Sequence, residues 1–262
     1  MKYFVPILIF SICIFSRLDR HFLKQNGSFC PKYILPNWSR CPQFETSPAG
    51  NLDTIFDQPF TYLTKGKQSF VFVSEDQKWV IKLVRLPRYV MRRSLKGNLS
   101  SLILFTKTLT GYKGAYEDLQ EETGVVYAHL KPTQNLGNIS LIDALGVSHT
   151  LALDEMAFVV QKCGDPFFPA LEKSQDPKAL IRKTVQLYSN LYRKGYIDRD
   201  PILDKNFGVL GEDPFIIDIG QLEKCQHGFS QEEHLEKMTQ SLSWKLQRDC
   251  PDLYLFYRNL LH

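Results

Sequence analysis

The chain has 262 residues, a formal net charge of +4, 44% hydrophobic residues and 13% aromatic residues. That length suits one two-lobed domain or two small ones, and that apolar fraction excludes global disorder. Both charge signs are well represented, so the mild excess gives no argument for nucleic acid, and a monomer without such a partner is the expectation.

In chain order, Lys2 precedes YFVPILIFSICIF, after which Arg17, Asp19, Arg20 and Lys24 arrive. The apolar run is shorter than the ~20 residues needed to cross a bilayer, but it matches the core of a signal peptide. Three readings stand: a membrane anchor with the remainder in the cytoplasm, an export signal, or a buried N-terminal element. Residues 25–60 are rich in Pro, Asn, Ser and Gly without a sustained period, which predicts a loosely structured lead-in. The six cysteines, at 13, 30, 41, 163, 225 and 250, show no CxxC spacing and no His partner at zinc-ligand distance. Cys30 and Cys41 could pair in an exported protein; reduced thiols are the plainer expectation.

From residue 61 the pattern changes. A strand at about 60–65 precedes SFVFV and WVIKLV, which the polar turn SEDQK joins into a hairpin. Apolar or small groups at Tyr112, Ala115, Tyr116, Leu119, Thr123, Val126, Tyr127 and Leu130 fall at steps of three and four, predicting one helix over 112–130 despite Gly124. Two β-like runs, NISLIDALGVSHTLAL and MAFVVQKC, complete a unit of five strands and one helix. The second half is helical. Asp176 caps a helix with Pro177 in its first turn, and Gly195 ends it. Ser230 with Glu233 forms a capping box for a helix that turns Leu235, Met238, Leu242 and Leu246 inward, and DLYLFYRNLLH closes the chain. Strands with one helix followed by helices with acidic loops predict an α+β chain in two lobes.

Several positions stand out against that frame. Lys82 interrupts the apolar strand VIKLV, and a buried ammonium requires compensation. Glu122 borders the apolar stripe of the 112–130 helix, whereas Glu121 points nearly opposite; either carboxylate is a candidate partner for Lys82, with Glu122 favoured. In YIDRDPILDKNFGVLGEDPFIIDIG, residues 196–220, Asp198, Asp200, Asn206 and Asp218 fall on consecutive loops. Singly these are ordinary turn formers; together they form a set able to hold a divalent metal against phosphates.

In this order the motifs resemble the protein-kinase-like superfamily across roughly residues 61–222. TKGKQSFV (64–71) resembles the phosphate-covering glycine loop, with only Gly66 keeping a glycine while Thr64 and Ser69 stand at the flanking positions. Lys82 resembles the lysine that holds the α- and β-phosphates of ATP. Asp198-Arg199-Asp200 resembles the HRD motif with Asp in place of His. Asn206 resembles the metal-binding Asn of the same loop, one residue farther on than usual, and Asp218-Ile219-Gly220 resembles DFG.

The resemblance implies a bilobal kinase-like fold, with an antiparallel five-stranded N-lobe (61–162) carrying one helix and a compact helical C-lobe (163–262), behind an apolar targeting or anchor segment (1–24) and a lead-in (25–60). It implies ATP and Mg2+ as cofactors, with Asp200, Lys82 and Glu122 catalytic. Gly66, Ser69, Val71, Lys82, Gln161 and Cys163 would meet the nucleotide, the backbone around 161–163 facing adenine, and Asn206 and Asp218 would hold the metal. About 42 residues follow Gly220 and no APE-like motif appears. The layout therefore looks more like bacterial lipopolysaccharide (Kdo) kinases or small-molecule kinases than protein kinases. The implied acceptor is a sugar, glycolipid or small-molecule hydroxyl, anionic or membrane-associated. Arg85, Arg88, Arg92, Arg93 and Lys96 could attract such an anion, or form a solvated face. The degraded glycines, the missing His and the shifted Asn keep two alternatives open, a nucleotide-binding pseudokinase and an exported interaction protein.

Overall fold

A computed structural model describes residues 16–47, 50, 52–86, 99–224, 228 and 230–261. The apolar N-terminal run up to residue 15 and the basic stretch 87–98 lie outside the described residues. Among the described residues no helix is long and apolar enough to cross a membrane.

The first half is organised by a seven-stranded sheet. β1 (Phe60–Lys65), β2 (Ser69–Ser74) and β3 (Trp79–Val84) form an antiparallel meander, with Gln77 in the left-handed region at the β2–β3 turn. β7 (Phe158–Lys162) pairs with β3 and places β4 (Val125–His129) at one edge. At the other edge β5 (Asn138–Ile142) runs parallel to β1 and turns back into β6 (Ser148–Ala152). The order is β4-β7-β3-β2-β1-β5-β6.

This corrects the expected five strands in two places. The run NISLIDALGVSHTLAL is a hairpin of two strands rather than one. Its turn is built by Asp143, whose carboxylate accepts from the backbone N–H groups of Leu145 (3.0 Å) and Val147 (2.9 Å). The second correction concerns the helix expected over 112–130. Helix α3 spans Leu99–Glu117, a short α4 follows at Gln120–Thr123, and residues 125–129 are strand β4. Gly124, at φ +64°, ends α4, a conformation that costs little without a Cβ. Beyond it Val125, Val126 and Tyr127 are β-branched or aromatic and suit a strand. β4 is buried on both faces, so it lacks the alternation that would have distinguished it from a helix face.

The lead-in is also corrected. Phe29, Ile34 and Cys41 are fully buried, and Phe29 meets Phe70 and Phe72 edge-on at centroid distances of 5.3 and 5.1 Å. Backbone bonds from Leu86 N to Tyr33 O (2.8 Å) and from Phe44 N to Leu130 O (3.2 Å) stitch it to the sheet. Helix α1, residues 16–25 among those described, precedes it, and α2 (Asp53–Phe56) leads into β1. Cys30 and Cys41 are free thiols.

In the second half β8 (Asp165–Pro166) and α5 (Phe167–Lys173) lead to α6 (Pro177–Arg193), capped by Asp176 through Ala179 N at 2.9 Å and stopped at Gly195 (φ +73°). Two small sheets carry the acidic loops. β9 (Tyr196–Asp198) pairs with β12 (Leu222–Lys224), and β10 (Phe207–Leu210) pairs with β11 (Asp213–Ile216), with α7 (Leu203–Asn206) before β10. The Ser230 capping box opens α8 (Gln231–Met238), which breaks at Thr239 into α9 (Gln240–Asp249); α10 (Pro251–Leu261) follows. Leu235, Met238, Leu242 and Leu246 all point inward, and one continuous apolar cluster joins them to the sheet.

Because Phe29 fills a closed aromatic site, Phe29→Ala is expected to lower unfolding free energy by about 3–5 kcal/mol in chemical denaturation. A loose lead-in would leave stability within about 0.5 kcal/mol of the parent.

Candidate nucleotide and metal site

The register of the sheet decides where Lys82 points. Strand β3 pairs with β2 and β7 on both sides, so Lys82 sits mid-sheet at 5% exposure, opposite Val71 and Val159. Its ammonium donates to the carbonyl of Ile217 and lies beside Asp218. Burial lowers its pKa from the ordinary value to about 8, and the Asp218 charge opposes that fall.

Asp218 follows β11 and opens a tight turn in which its Oδ1 accepts from Gly220 N at 3.2 Å. Asn206 ends α7, and its carbonyl accepts from Ile217 N (2.6 Å) and Asp218 N (3.3 Å). The β10–β11 hairpin thus brings the two candidate metal ligands backbone to backbone. Asn206 Nδ2 donates to Asp200 O at 2.6 Å, leaving its Oδ1 as the oxygen available to a cation.

Gly66, Ser69, Val71, Lys82, Gln161, Cys163, Asn206 and Asp218 all line one cavity of about 460 Å3. Leu63, Val80, Phe215 and Ile217 give it apolar walls. A cavity that combines apolar walls with an ammonium, a carboxylate and an amide has the chemistry to take a flat base carrying phosphates. Among the described residues no cluster of three or more His, Cys, Asp or Glu side chains could hold a metal. The amide oxygen of Asn206 and the carboxylate of Asp218 have the chemistry for a cation that takes few protein ligands and completes its shell with phosphate and water, as magnesium does.

The backbone expected to face adenine is in part committed to the sheet. Lys162 N donates to Gly124 O and Cys163 N to Lys78 O, both at 2.9 Å. Gln161 bridges instead, its Nε2 donating to Thr123 O (2.5 Å) and Ile216 O (2.8 Å). Gly164 is the next residue along the cavity wall.

Glu122 does not partner Lys82. It lies in α4, 2% exposed, and its carboxylate binds Lys194 at 2.8 Å, just past the end of α6. The reason is the shortened helix: α3 ends at Glu117, and the Leu119 break turns Glu122 toward the second half. Glu121, its neighbour in α4, is exposed. The group that α3 does bring to the site is Tyr112, whose hydroxyl bonds Ser69 near Asp218 and whose pKa is driven up chiefly by burial. No periodicity could have distinguished this tyrosine from the other core residues of its stripe.

Asp200 is exposed and lies outside the cavity lining, in the loop that follows β9. Asp198, in the position where the family keeps His, is buried at 1% exposure. Its Oδ1 accepts Asp200 N at 2.9 Å, and Oδ2 has no hydrogen-bond partner among the described residues. Burial, the first cause, and the charges of Asp218 and Asp200 raise its pKa to about 7, against the lowering effect of the Asp200 N–H. Gln68 is a further group the sequence did not mark. Buried within the glycine-loop segment, it donates Nε2 to Gly220 O at 3.3 Å and ties that loop to the Asp218 turn.

Models of known protein families and curated protein sequences give no match to this chain. Among solved structures, it is similar to the bifunctional kinase-methyltransferase WbdD at 11% identity and a TM-score of 0.42, covering 74% of this chain and 42% of that one. A WbdD co-crystal with a kinase inhibitor is similar at 11% identity and 0.41, covering 76% and 45%. The chain thus spans under half the length of those proteins, and a likeness of this degree carries no inference about activity.

Removing the cation beside buried Glu122 and removing the buried cation Lys82 have opposite expected effects. Lys194→Ala strands the Glu122 carboxylate and is expected to cost about 1–3 kcal/mol in chemical denaturation. Lys82→Met removes a desolvated cation, so without ligand it is expected to be at least as stable as the parent at pH 7. The folded pKa lies below the unfolded one, so the penalty of the charged lysine applies below pH 8 and is relieved as pH rises from 8 toward 10.5. The stability gap between Lys82→Met and the parent should therefore narrow over that window. A gap that widens would contradict the burial of the cation.

Proposed function

We propose that the chain is a phosphotransferase of protein-kinase-like fold, dependent on ATP and Mg2+, acting on a hydroxyl of a sugar, glycolipid or other small molecule. The observation that carries this reading is the convergence of Lys82, Asn206 and Asp218, far apart in sequence, on one cavity with apolar walls. In it Lys82 holds the phosphates, Asn206 and Asp218 hold the metal, and Val71, Val80 and Phe215 enclose the base. The acceptor oxygen forms its bond to the γ-phosphorus as the bond from that phosphorus to the β-phosphate oxygen breaks. ADP keeps the electron pair, and the acceptor proton passes to the Asp200 carboxylate. Magnesium supplies charge neutralisation between the phosphates when bound. Asp198, accepting the Asp200 N–H, orients the loop that carries the base.

A small acceptor is favoured over a protein because the chain past the Asp218 turn goes directly into β12, and residues 225–230 alone separate β12 from α8. This leaves little chain for a peptide-docking segment. The accompanying partners are ATP and an anionic or membrane-associated acceptor, for a monomer at the cytoplasmic side of a membrane.

One observation favours a second reading, a nucleotide-binding pseudokinase. Lys82 lacks the carboxylate partner that Glu122 would have supplied, since Glu122 is bound to Lys194.

Thermal unfolding with ATP, with and without Mg2+, separates these readings. The phosphotransferase reading expects a stabilisation that requires Mg2+ and disappears in Asp218→Ala. Asp200→Asn should keep that shift while lowering turnover about a hundredfold to ten-thousandfold. Stabilisation independent of Mg2+, without turnover, would point to the pseudokinase, and no stabilisation under either condition would remove both.

A further inference from the structure

A second cavity, of about 430 Å3, lies on the other side of the glycine-loop segment. Lys67, Arg85, Tyr33 and Ser28 supply its polar lining, and Leu23, Leu86 and Leu104 its apolar lining. Among the described residues no carboxylate lines it. Lys65 stands at its border, its ammonium donating to Ser28 Oγ at 2.6 Å. Among the described residues none of Lys65, Lys67 and Arg85 makes an ion pair, unlike Lys107, Lys113, Lys183, Lys224 and Lys245, each of which has a carboxylate. Three cations around one concavity without an anion form a site of positive potential.

The site is built rather than incidental. The Arg85 guanidinium lies over the Phe70 ring at 5.6 Å from its centroid, which restricts its rotamers and pre-organises its donors. Arg85 N donates to Gln68 O at 2.7 Å and Leu86 N to Tyr33 O at 2.8 Å, fixing the backbone on two sides of the cavity. Helix α1 furnishes Leu23 and the docked lead-in Ser28 and Tyr33, so their packing completes the wall.

We propose that this cavity binds a phosphomonoester group carried on a short apolar body, the phosphate held by Arg85 and Lys67 and the body lying against Leu23, Leu86 and Leu104. Guanidinium and ammonium donors match phosphate oxygens, and the tyrosine and serine hydroxyls can serve the remaining lone pairs. The proposal goes beyond the phosphotransferase reading and stands apart from it, because it uses none of Lys82, Asn206 or Asp218. Such a ligand could be a soluble phosphomonoester or the headgroup of an anionic lipid.

Calorimetric titration of the full chain with hexyl phosphate, inorganic phosphate and hexanol tests the site. Co-sedimentation with phosphatidylcholine vesicles, with and without phosphatidic acid, tests the lipid source. Hexyl phosphate is expected to bind saturably and more tightly than inorganic phosphate. Arg85→Gln and Lys67→Gln should each weaken it about tenfold or more, the scale of one charge-assisted hydrogen bond. Leu104→Asn should lose the preference for hexyl phosphate while keeping inorganic phosphate, and Lys82→Met should change neither. Arg85-dependent binding to phosphatidic acid vesicles alone would support the site and identify a lipid source; with hexyl phosphate alone it would identify a soluble one. Binding indifferent to Arg85→Gln and Lys67→Gln, loss of hexyl phosphate in Lys82→Met, or no saturable binding of any probe would overturn the proposal. Circular dichroism of each variant guards against loss of fold.

Discussion

The burial of one ammonium group organises the candidate site. Lys82 is almost wholly removed from water in the middle of a seven-stranded sheet, so much of its charge has to be met from the segment that packs against that sheet. Ile217 O and Asp218 meet it, which fixes the distance between the strands and the acidic turn. Gln161 and Gln68 reinforce the same junction through Ile216 O and Gly220 O. A junction built from polar bridges around a cavity leaves one positive and one negative group facing a shared space. That arrangement suits a ligand bearing phosphates and a metal better than it suits structural packing alone, because the burial cost of the Lys82 charge exceeds what the nearby, half-buried Asp218 returns.

Much of this was legible in the sequence because it depends on local pattern. A lysine inside VIKLV, the alternation of apolar strands and acidic turns from 196 to 220, and the caps at Asp176 and Ser230 each announce themselves within a few residues. Eight of the residues that line the cavity were marked from sequence, since each belongs to a short motif with its own chemistry.

What the sequence misplaced depends on longer-range choices. Glu122 was read on a continuous helix, but Leu119 and Gly124 bound a short separate turn that swings the carboxylate toward Lys194. Helical periodicity continued by coincidence into Val126 and Tyr127, where β4 is largely buried on both faces and the pattern carries no direction. The lead-in lacked a period because Phe29, Ile34 and Cys41 pack as isolated anchors, which no window of residues can reveal. Asp198 looked like a turn former, although its pairing opposite Leu222 buries it beneath the catalytic-loop candidate. Its bond from Asp200 N makes it a second group on which the geometry of that loop depends.

The most direct measurement is a crystal structure with a non-hydrolysable ATP analogue and Mn2+, located by its anomalous scattering. The account predicts a manganese peak about 2 Å from Asp218 and Asn206 Oδ1, with the phosphates against Lys82 and the base between Val71, Val80 and Phe215. A nucleotide bound elsewhere, or manganese absent from Asp218 with the nucleotide in place, would contradict it.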